Sequence, residues 1–446
     1  MSLMTDDVIN FTSMLRMSYD FLHSGRKFNI KSNRKGKKLI SVVFPFSDLV
    51  FAAKAIPIFP IRLEKFKVNT YLEALNSASG LFGWKAVSNF LGFIRKFDFL
   101  KVFDGIIDDV INSLNYKYNK MYDLGIEEGV SNDFCYGIKA LYGMHSSRHN
   151  NLDANLNVII RCSAFNKYYE SLKRFSDKLI WLDIPPRNIG NALEICTENV
   201  KETISQLEKL TGNSITDNDL RKQFRISNEC RELYREIIYE ISNSDFYPCN
   251  PATFSEILAL LSISFQDFNS NAETYLKNFR NLVKEMKERI RKKIGMDVSN
   301  RPRILLTPRF GGWEPESHNL IYKMGGRLLY ADWEILGALE NVEVNTYSDP
   351  AENYAKYLMD ITTKGVGCDN NALTDSYIRV ARKMDVDGLI FIELFGCHSI
   401  SNCYTILRQK VRNELEIPTT ALTFNKIGEN IEQVKTRLGA FMEMFN

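Results

Sequence analysis

Apolar and polar residues follow two rhythms along this chain. Short unbroken apolar runs occur at Leu39–Phe44 (LISVVF), Ala55–Phe59 (AIPIF), Leu156–Arg161 (LNVIIR), Leu179–Ile184 (LIWLDI), Arg303–Thr307 (RILLT), Arg327–Ala331, Gly388–Leu394 (GLIFIEL) and Pro418–Leu422 (PTTAL). Their length and β-branched content predict strands buried on both faces. Between them the spacing turns helical. Val8, Phe11, Leu15, Tyr19 and Leu22 mark an N-terminal helix, and Asn191–Leu210, Asp217–Ser242, Ser255–Phe265 and Ala272–Lys293 set apolar stripes against polar faces. Strands alternating with helices predict parallel sheets joined by right-handed crossovers.

The order of these elements gives an α/β fold class: two parallel-sheet (Rossmann/flavodoxin-like) domains with an N-terminal helical arm and a helical linker block. The expected divisions are an arm over 1–35, a first α/β domain over 36–190 with a helical insertion at about 64–133, a linker block over 191–300, and a second α/β domain over 301–446. Ser47–Asp48 is placed to N-cap the helix SDLVFAAKA after the first strand. The two α/β halves read as distant echoes of each other, without a tandem sequence repeat.

Composition narrows the functional classes. The chain is 45% hydrophobic and 25% charged, with a formal net charge of +3, so no electrostatic footprint for nucleic acid exists. The basic cluster Lys31–Lys38 (KSNRKGKK) reads as a solvated loop, with a phosphate or CoA contact as the alternative. The most apolar region, Leu39–Ile61, is broken by Asp48, Lys54 and prolines, so no membrane-spanning helix is expected. The N-terminus lacks a signal-peptide pattern. Eight scattered cysteines in such a chain read as thiols of a cytoplasmic protein, not a disulfide frame. There is no CxxC pair, P-loop, nucleophile elbow or dinucleotide glycine fingerprint. His145 and His149 have metal-ligand spacing, but their neighbours look loop-like.

Three cysteines share one setting. Cys162 follows the run LNVIIR, Cys397 follows GLIFIEL, and Cys135 opens a short helix-like stretch, so each sits just before a helix. A helix N-terminus stabilises a thiolate, and in open α/β sheets chemistry gathers beyond the carboxyl ends of the strands. Three thiolates meeting there would hold three irons of a [4Fe–4S] cluster and leave the fourth open to a substrate carbonyl. The competing reading makes these cysteines small core hydrophobes in a cluster-free binding protein. Cys403, six residues after Cys397, is a candidate alternative ligand.

The ordered segments FPFSDLVFAAKAIPIF, FCYGIKALYG, RCSAFNKYYESL with LIWLDIPPR, DGLIFIELFGC and VKTRLGAFME carry a resemblance. From about Pro45 to the C-terminus the chain resembles the D-component subunits of 2-hydroxyacyl-CoA dehydratases and the related subunits of ATP-dependent benzoyl-CoA reductase. The resemblance implies that Cys135, Cys162 and Cys397 ligate a [4Fe–4S] cluster between two α/β domains. It implies a related second subunit, hence a heterodimer, and a separate ATP-hydrolysing iron–sulfur activator. The implied chemistry is oxygen-sensitive. One electron enters an acyl-CoA thioester carbonyl to form a ketyl radical anion, which expels water; in the reductase branch the electrons stay in the product. A non-catalytic electron-transfer or assembly paralogue is the further alternative. The chain departs from the family at Asp48, where Glu is usual, and at Lys54, where Gly is frequent. Neither position matches well enough to assign an acid or base.

Overall fold

The computed structural model describes residues 11–43, 46–64, 69–94, 117–147, 151–160, 162–174, 176, 178–307, 320–330, 340–364, 369–426 and 428–445. Two four-stranded sheets organise it. The first comprises β1 (Leu39–Ser41), β2 (Ile56–Ile58), β3 (Ala154–Ile159) and β4 (Leu179–Asp183), in the order β2-β1-β3-β4. A two-stranded antiparallel ribbon, β5 (Phe246–Tyr247) with β6 (Met296–Asp297), lies between the sheets in sequence. The second sheet comprises β7 (Arg303–Thr307), β8 (Arg327–Tyr330), β9 (Gly388–Leu394) and β10 (Thr419–Phe424), in the order β10-β9-β7-β8. Every strand pair in both four-stranded sheets is parallel.

The two sheets share one topology. In each, the first strand lies between the second and the third, and the fourth lies outside the third. The chain therefore reverses direction between β1 and β3, and again between β7 and β9. These are the switch points where α/β folds open a crevice. The expected echo between the halves is thus visible in strand order. Parallel strands must be covered on both faces, and the inner strand β9 is apolar almost throughout, with Leu389, Ile390 and Phe391 fully buried.

The helical elements form where the apolar stripes placed them. The N-terminal helix is Thr12–Asn29, and the block between the sheets holds helices Ala192–Thr211, Asp217–Glu236, Pro251–Ser264 and Ala272–Arg291. Helix Asp217–Glu236 opens with a reciprocal capping box between Thr216 and Asp219. Of the insertion, helices Asn69–Phe82 and Trp84–Ile94 and a helical stretch over 117–127 are described. The expected helix around Glu316 lies largely outside the described residues, with a helical turn at 320–323. Among the described residues no helix is long and apolar enough to cross a membrane.

Two expectations near β1 are corrected. Of the run LISVVF, β1 covers Leu39–Ser41, the Val42 N–H still donates to Ile58 O at 3.0 Å, and Phe44 lies outside the described residues. Ser47 precedes helix Asp48–Ala52, but its side chain caps nothing. Asp48 is instead buried, facing Arg231 Nη2 at 3.4 Å and Tyr354 OH at 3.4 Å, and it accepts from Ser227 Oγ. Lys54, at a position where the resembled family favours Gly, has φ +60°, so the chain keeps the left-handed bend that glycine would adopt freely.

A second buried carboxylate, Asp267, receives Arg62 Nη1 at 2.5 Å and the Phe59 backbone N–H at 2.7 Å. Arg62 also donates from Nε to Phe21 O at 3.1 Å and from Nη2 to Ser24 Oγ, which clamps the N-terminal helix to the turn that follows β2. On that helix, burial lifts the Asp20 carboxyl to about 6, against the pull of Arg16, Arg62 and the Asn278 amide. A carboxyl raised above its unfolded value of about 3.9 stabilises the fold most below that value. The contribution is lost as pH rises through about 6. Asp20→Asn should therefore be about 2 kcal/mol more stable than the parent at pH 7. Urea denaturation at pH 4 and pH 7 checks this: the gain should shrink toward pH 4.

Candidate functional site

Cys162 and Cys397 occupy equivalent places in the two sheets. Each stands three residues beyond the last residue of the third strand, after Ile159 and after Leu394, and each is the N-cap of the helix that follows. The helix after Cys162 is Ser163–Leu172 and that after Cys397 is the short His398–Ser401. Cys135 N-caps Tyr136–Ser146, the helix that leads into β3. A helix entering a parallel strand starts at the sheet's carboxyl edge, so Cys135 lies on the same edge as Cys162. All three thiols are partly buried.

Gly396 brings the two edges together. It has φ +77°, and a Cβ there would stand 2.6 Å from Asp133 O and 3.0 Å from Cys135 N. The turn after β9 therefore lies directly on the loop carrying Cys135, and only a residue without a side chain permits that approach. Lys426, just after β10, adds a second tie through Asp123 at 2.6 Å. Gly396→Ala combines left-handed strain with a clash against backbone. It should cost about 3 kcal/mol and lower whatever cofactor occupancy the three thiols support, read from urea midpoints and bound iron.

The electrostatics favour a thiolate at Cys135. Its thiol is lowered to about 7, first by a hydrogen bond with Cys397 and, against burial, by the Ile138 and Gly137 backbone N–H groups and the Lys139 charge. Cys397 is raised, first by the same bond and then by burial and the charges of Cys135 and Cys162. Across this hydrogen bond negative charge is favoured at Cys135 and the proton at Cys397. The helix N-terminus supplies the donors that make the anion cheap.

A buried polar network orients the two first-sheet cysteine helices. His145 Nδ1 lies 2.7 Å from Tyr168 OH and 3.1 Å from Leu141 O, and Nε2 lies 3.2 Å from Asn155 Oδ1 and 3.4 Å from Ser41 Oγ. It joins β1, β3, the Cys135 helix and the Cys162 helix at the switch point. His145 is thus committed to packing; His149 lies outside the described residues.

Cys135 and Cys397 are coupled through a side-chain hydrogen bond, and Cys397 also feels the charge of Cys162. Cys403 is not part of this group: it is buried, donates to Asn370 Oδ1 at 3.1 Å, and burial pushes its thiol up to about 11. Cys196, Cys230 and Cys249 are fully buried in the core, and Cys368 lies outside the described residues. Among the described residues no three His, Cys, Asp or Glu side chains close around a single metal ion. A multi-iron cluster makes a different demand, because each thiolate binds its own iron. Three sulfur donors at helix N-termini, on the facing edges of two sheets, fit that demand.

Sequence comparison adds the decisive observation. The profile described as 2-hydroxyglutaryl-CoA dehydratase, D-component, matches residues 104–445. The chain belongs to this family. The match takes in Cys135, Cys162 and Cys397 and begins after the segment at Pro45. A search of curated proteins finds no match. As a D-component family member the chain is a 2-hydroxyacyl-CoA dehydratase-type subunit, and membership implies a partner component and an activator in general terms. Around the three cysteines, Tyr168 and Lys139 were not singled out by the sequence pattern, and His145 was marked only for its spacing with His149. For Lys139 a signal existed, a lysine one helical turn after a cysteine at a helix start.

Proposed function

We propose that this D-component is one subunit of an oxygen-sensitive [4Fe–4S] dehydratase that removes water from a 2-hydroxyacyl-CoA. Cys135, Cys162 and Cys397 would hold the cluster. The observation that carries this is the convergence of three N-cap cysteines at the switch points of two sheets of identical strand order. When bound, the cluster supplies one-electron reduction of the thioester carbonyl, the ketyl chemistry that makes a β-proton removable and the hydroxyl a leaving group.

The chain's own residues prepare the place. The Gly137 and Ile138 N–H groups stabilise negative charge at Cys135. The His145–Tyr168 network fixes the directions of two cysteine helices. The Gly396 turn holds the facing edges together. The sequence carries no ATP-binding motif, which fits electron delivery by a separate ATP-hydrolysing iron–sulfur activator. A related second subunit would complete a heterodimer.

Iron and acid-labile sulfide per chain after anaerobic purification test the reading. About four of each are expected for one cubane. Folded protein that binds neither, even after reconstitution, overturns it. If the cluster is present, 2-hydroxyacyl-CoA added to the activated complex should change its visible spectrum; no change would leave an electron-transfer subunit.

A further inference from the structure

Lys139 is an ammonium in an unusual place. The residue is 2% exposed, and among the described residues no carboxylate comes within 4.0 Å of its Nζ. Nζ donates to Asn132 O at 3.0 Å and lies 5.1 Å from the centroid of the Tyr122 ring. Tyr122 is itself stacked on Tyr136 at 5.2 Å. The backbone N–H of Lys139 bonds Cys135 O at 3.2 Å, so the side chain rises one turn from the first cysteine. Gly125 packs against the Lys139 carbonyl and Gly143 against that of Met121, so the stretch over 117–127 crosses the Cys135 helix closely and holds Tyr122 beneath the ammonium.

Burying an ammonium without a partner costs several kcal/mol unless an anion compensates. A carbonyl and an aromatic face compensate in part. Cys135, Asp133 and Glu429 are the acidic groups whose fields reach Lys139, and Cys135 is one helical turn before it. The three-cysteine site, whose first cysteine lies one helical turn away, is where a compensating anionic group would be held.

We propose that Lys139 is a positioning residue: the fixed counter-charge of the anionic group held by Cys135, Cys162 and Cys397, where it raises that group's reduction potential. The inference rests on the iron–sulfur reading. Net charge near a cluster is one of the terms that set its potential. A fixed positive charge stabilises the reduced, more negative form more than the oxidised one.

The test uses anaerobically purified full-length protein, the parent beside Lys139→Gln and Lys139→Arg. Iron is counted first, and the midpoint potential is then measured by EPR-monitored redox titration. Lys139→Gln should keep its iron and show a more negative potential, by tenfold or more in the redox equilibrium, about 59 mV for one electron. Lys139→Arg, with the charge retained, should stay near the parent. A glutamine variant with full iron and an unchanged potential overturns the proposal, as does an arginine variant shifted as far as the glutamine one. If the glutamine variant loses its iron, the arginine variant decides: iron and the parent potential support the role, and loss in both reduces Lys139 to packing. An iron-free parent sinks the iron–sulfur reading itself, and this inference with it.

Discussion

Serine in place of Cys162 or Cys397 should strip the protein of nearly all its iron, from about four atoms per chain to below one, while leaving the fold intact. Serine differs from cysteine by one atom, so packing at these partly buried positions is barely disturbed. Its hydroxyl stays protonated at neutral pH and is a hard ligand where iron–sulfur clusters take thiolate. Cys135→Ser should act alike and should also weaken the thiol hydrogen bond between Cys135 and Cys397. The contrast is Cys196→Ser. Cys196 is fully buried, donates to Ala355 O at 3.9 Å, and is pushed up to about 12 by burial. It lies on the helix packed against Pro350–Lys364, outside the cysteine group, so its variant should keep full iron at some cost in stability. Metal analysis with circular dichroism separates the cases. Equal iron in all four variants would show that the three thiols hold nothing.

The second large effect concerns stability. Asp48→Ala should destabilise the protein by about 3–5 kcal/mol, because it leaves the Arg231 guanidinium buried without its carboxylate. Asp48 is 1% exposed and Arg231 is fully buried. Arg231 also bonds Asn228 Oδ1 at 2.8 Å and Tyr357 OH at 3.1 Å, and its guanidinium lies 4.3 Å from the Tyr357 ring centroid. The pair thus ties three elements: helix Asp48–Ala52 of the first half, helix Asp217–Glu236 of the linker block, and helix Pro350–Lys364 beside the second sheet. Replacing both partners by apolar residues of similar volume, Asp48→Leu with Arg231→Met, should recover most of the loss, since the cost of an orphaned charge disappears. Urea unfolding of the single and double variants measures this. A single variant within 1 kcal/mol of the parent would mean that the interior tolerates the charge, and that the latch is not one.

The same residue shows how sequence and structure divide the information. Asp48 stands where the resembled family usually carries Glu, and the sequence marks it only as part of a helix start. Its partner Arg231 lies 183 residues away. No local pattern announces that pairing, and only the packed interior reveals that the carboxylate is consumed inside. Lys54 runs the other way: a left-handed bend at a position favoured by Gly is a backbone requirement that survives the loss of glycine, at some cost in strain.

What the chain's pattern determined by itself was local and periodic. Apolar runs of strand length marked β7 and β9 to the residue, because strands buried on both faces have little polar alternation to blur their ends; β3 starts two residues before its run, with buried Asn155 and Asn157 alternating in it. The helix starts after Cys162 and Cys397 were legible for a similar reason, since only a few residues separate the end of an apolar run from the helical stretch. The cysteines themselves could be named, but not their meeting. Cys135 and Cys397 are 262 positions apart, and their contact depends on both sheets taking the same strand order and on Gly396 letting two loops touch. Strand order is decided by which faces find cover, a property of the whole chain. The charge at Lys139 had to wait for the fold as well: a lysine in a sequence is solvated by default, and only the crossing of two helices at Gly125 and Gly143 turns it into a buried cation beside a thiolate.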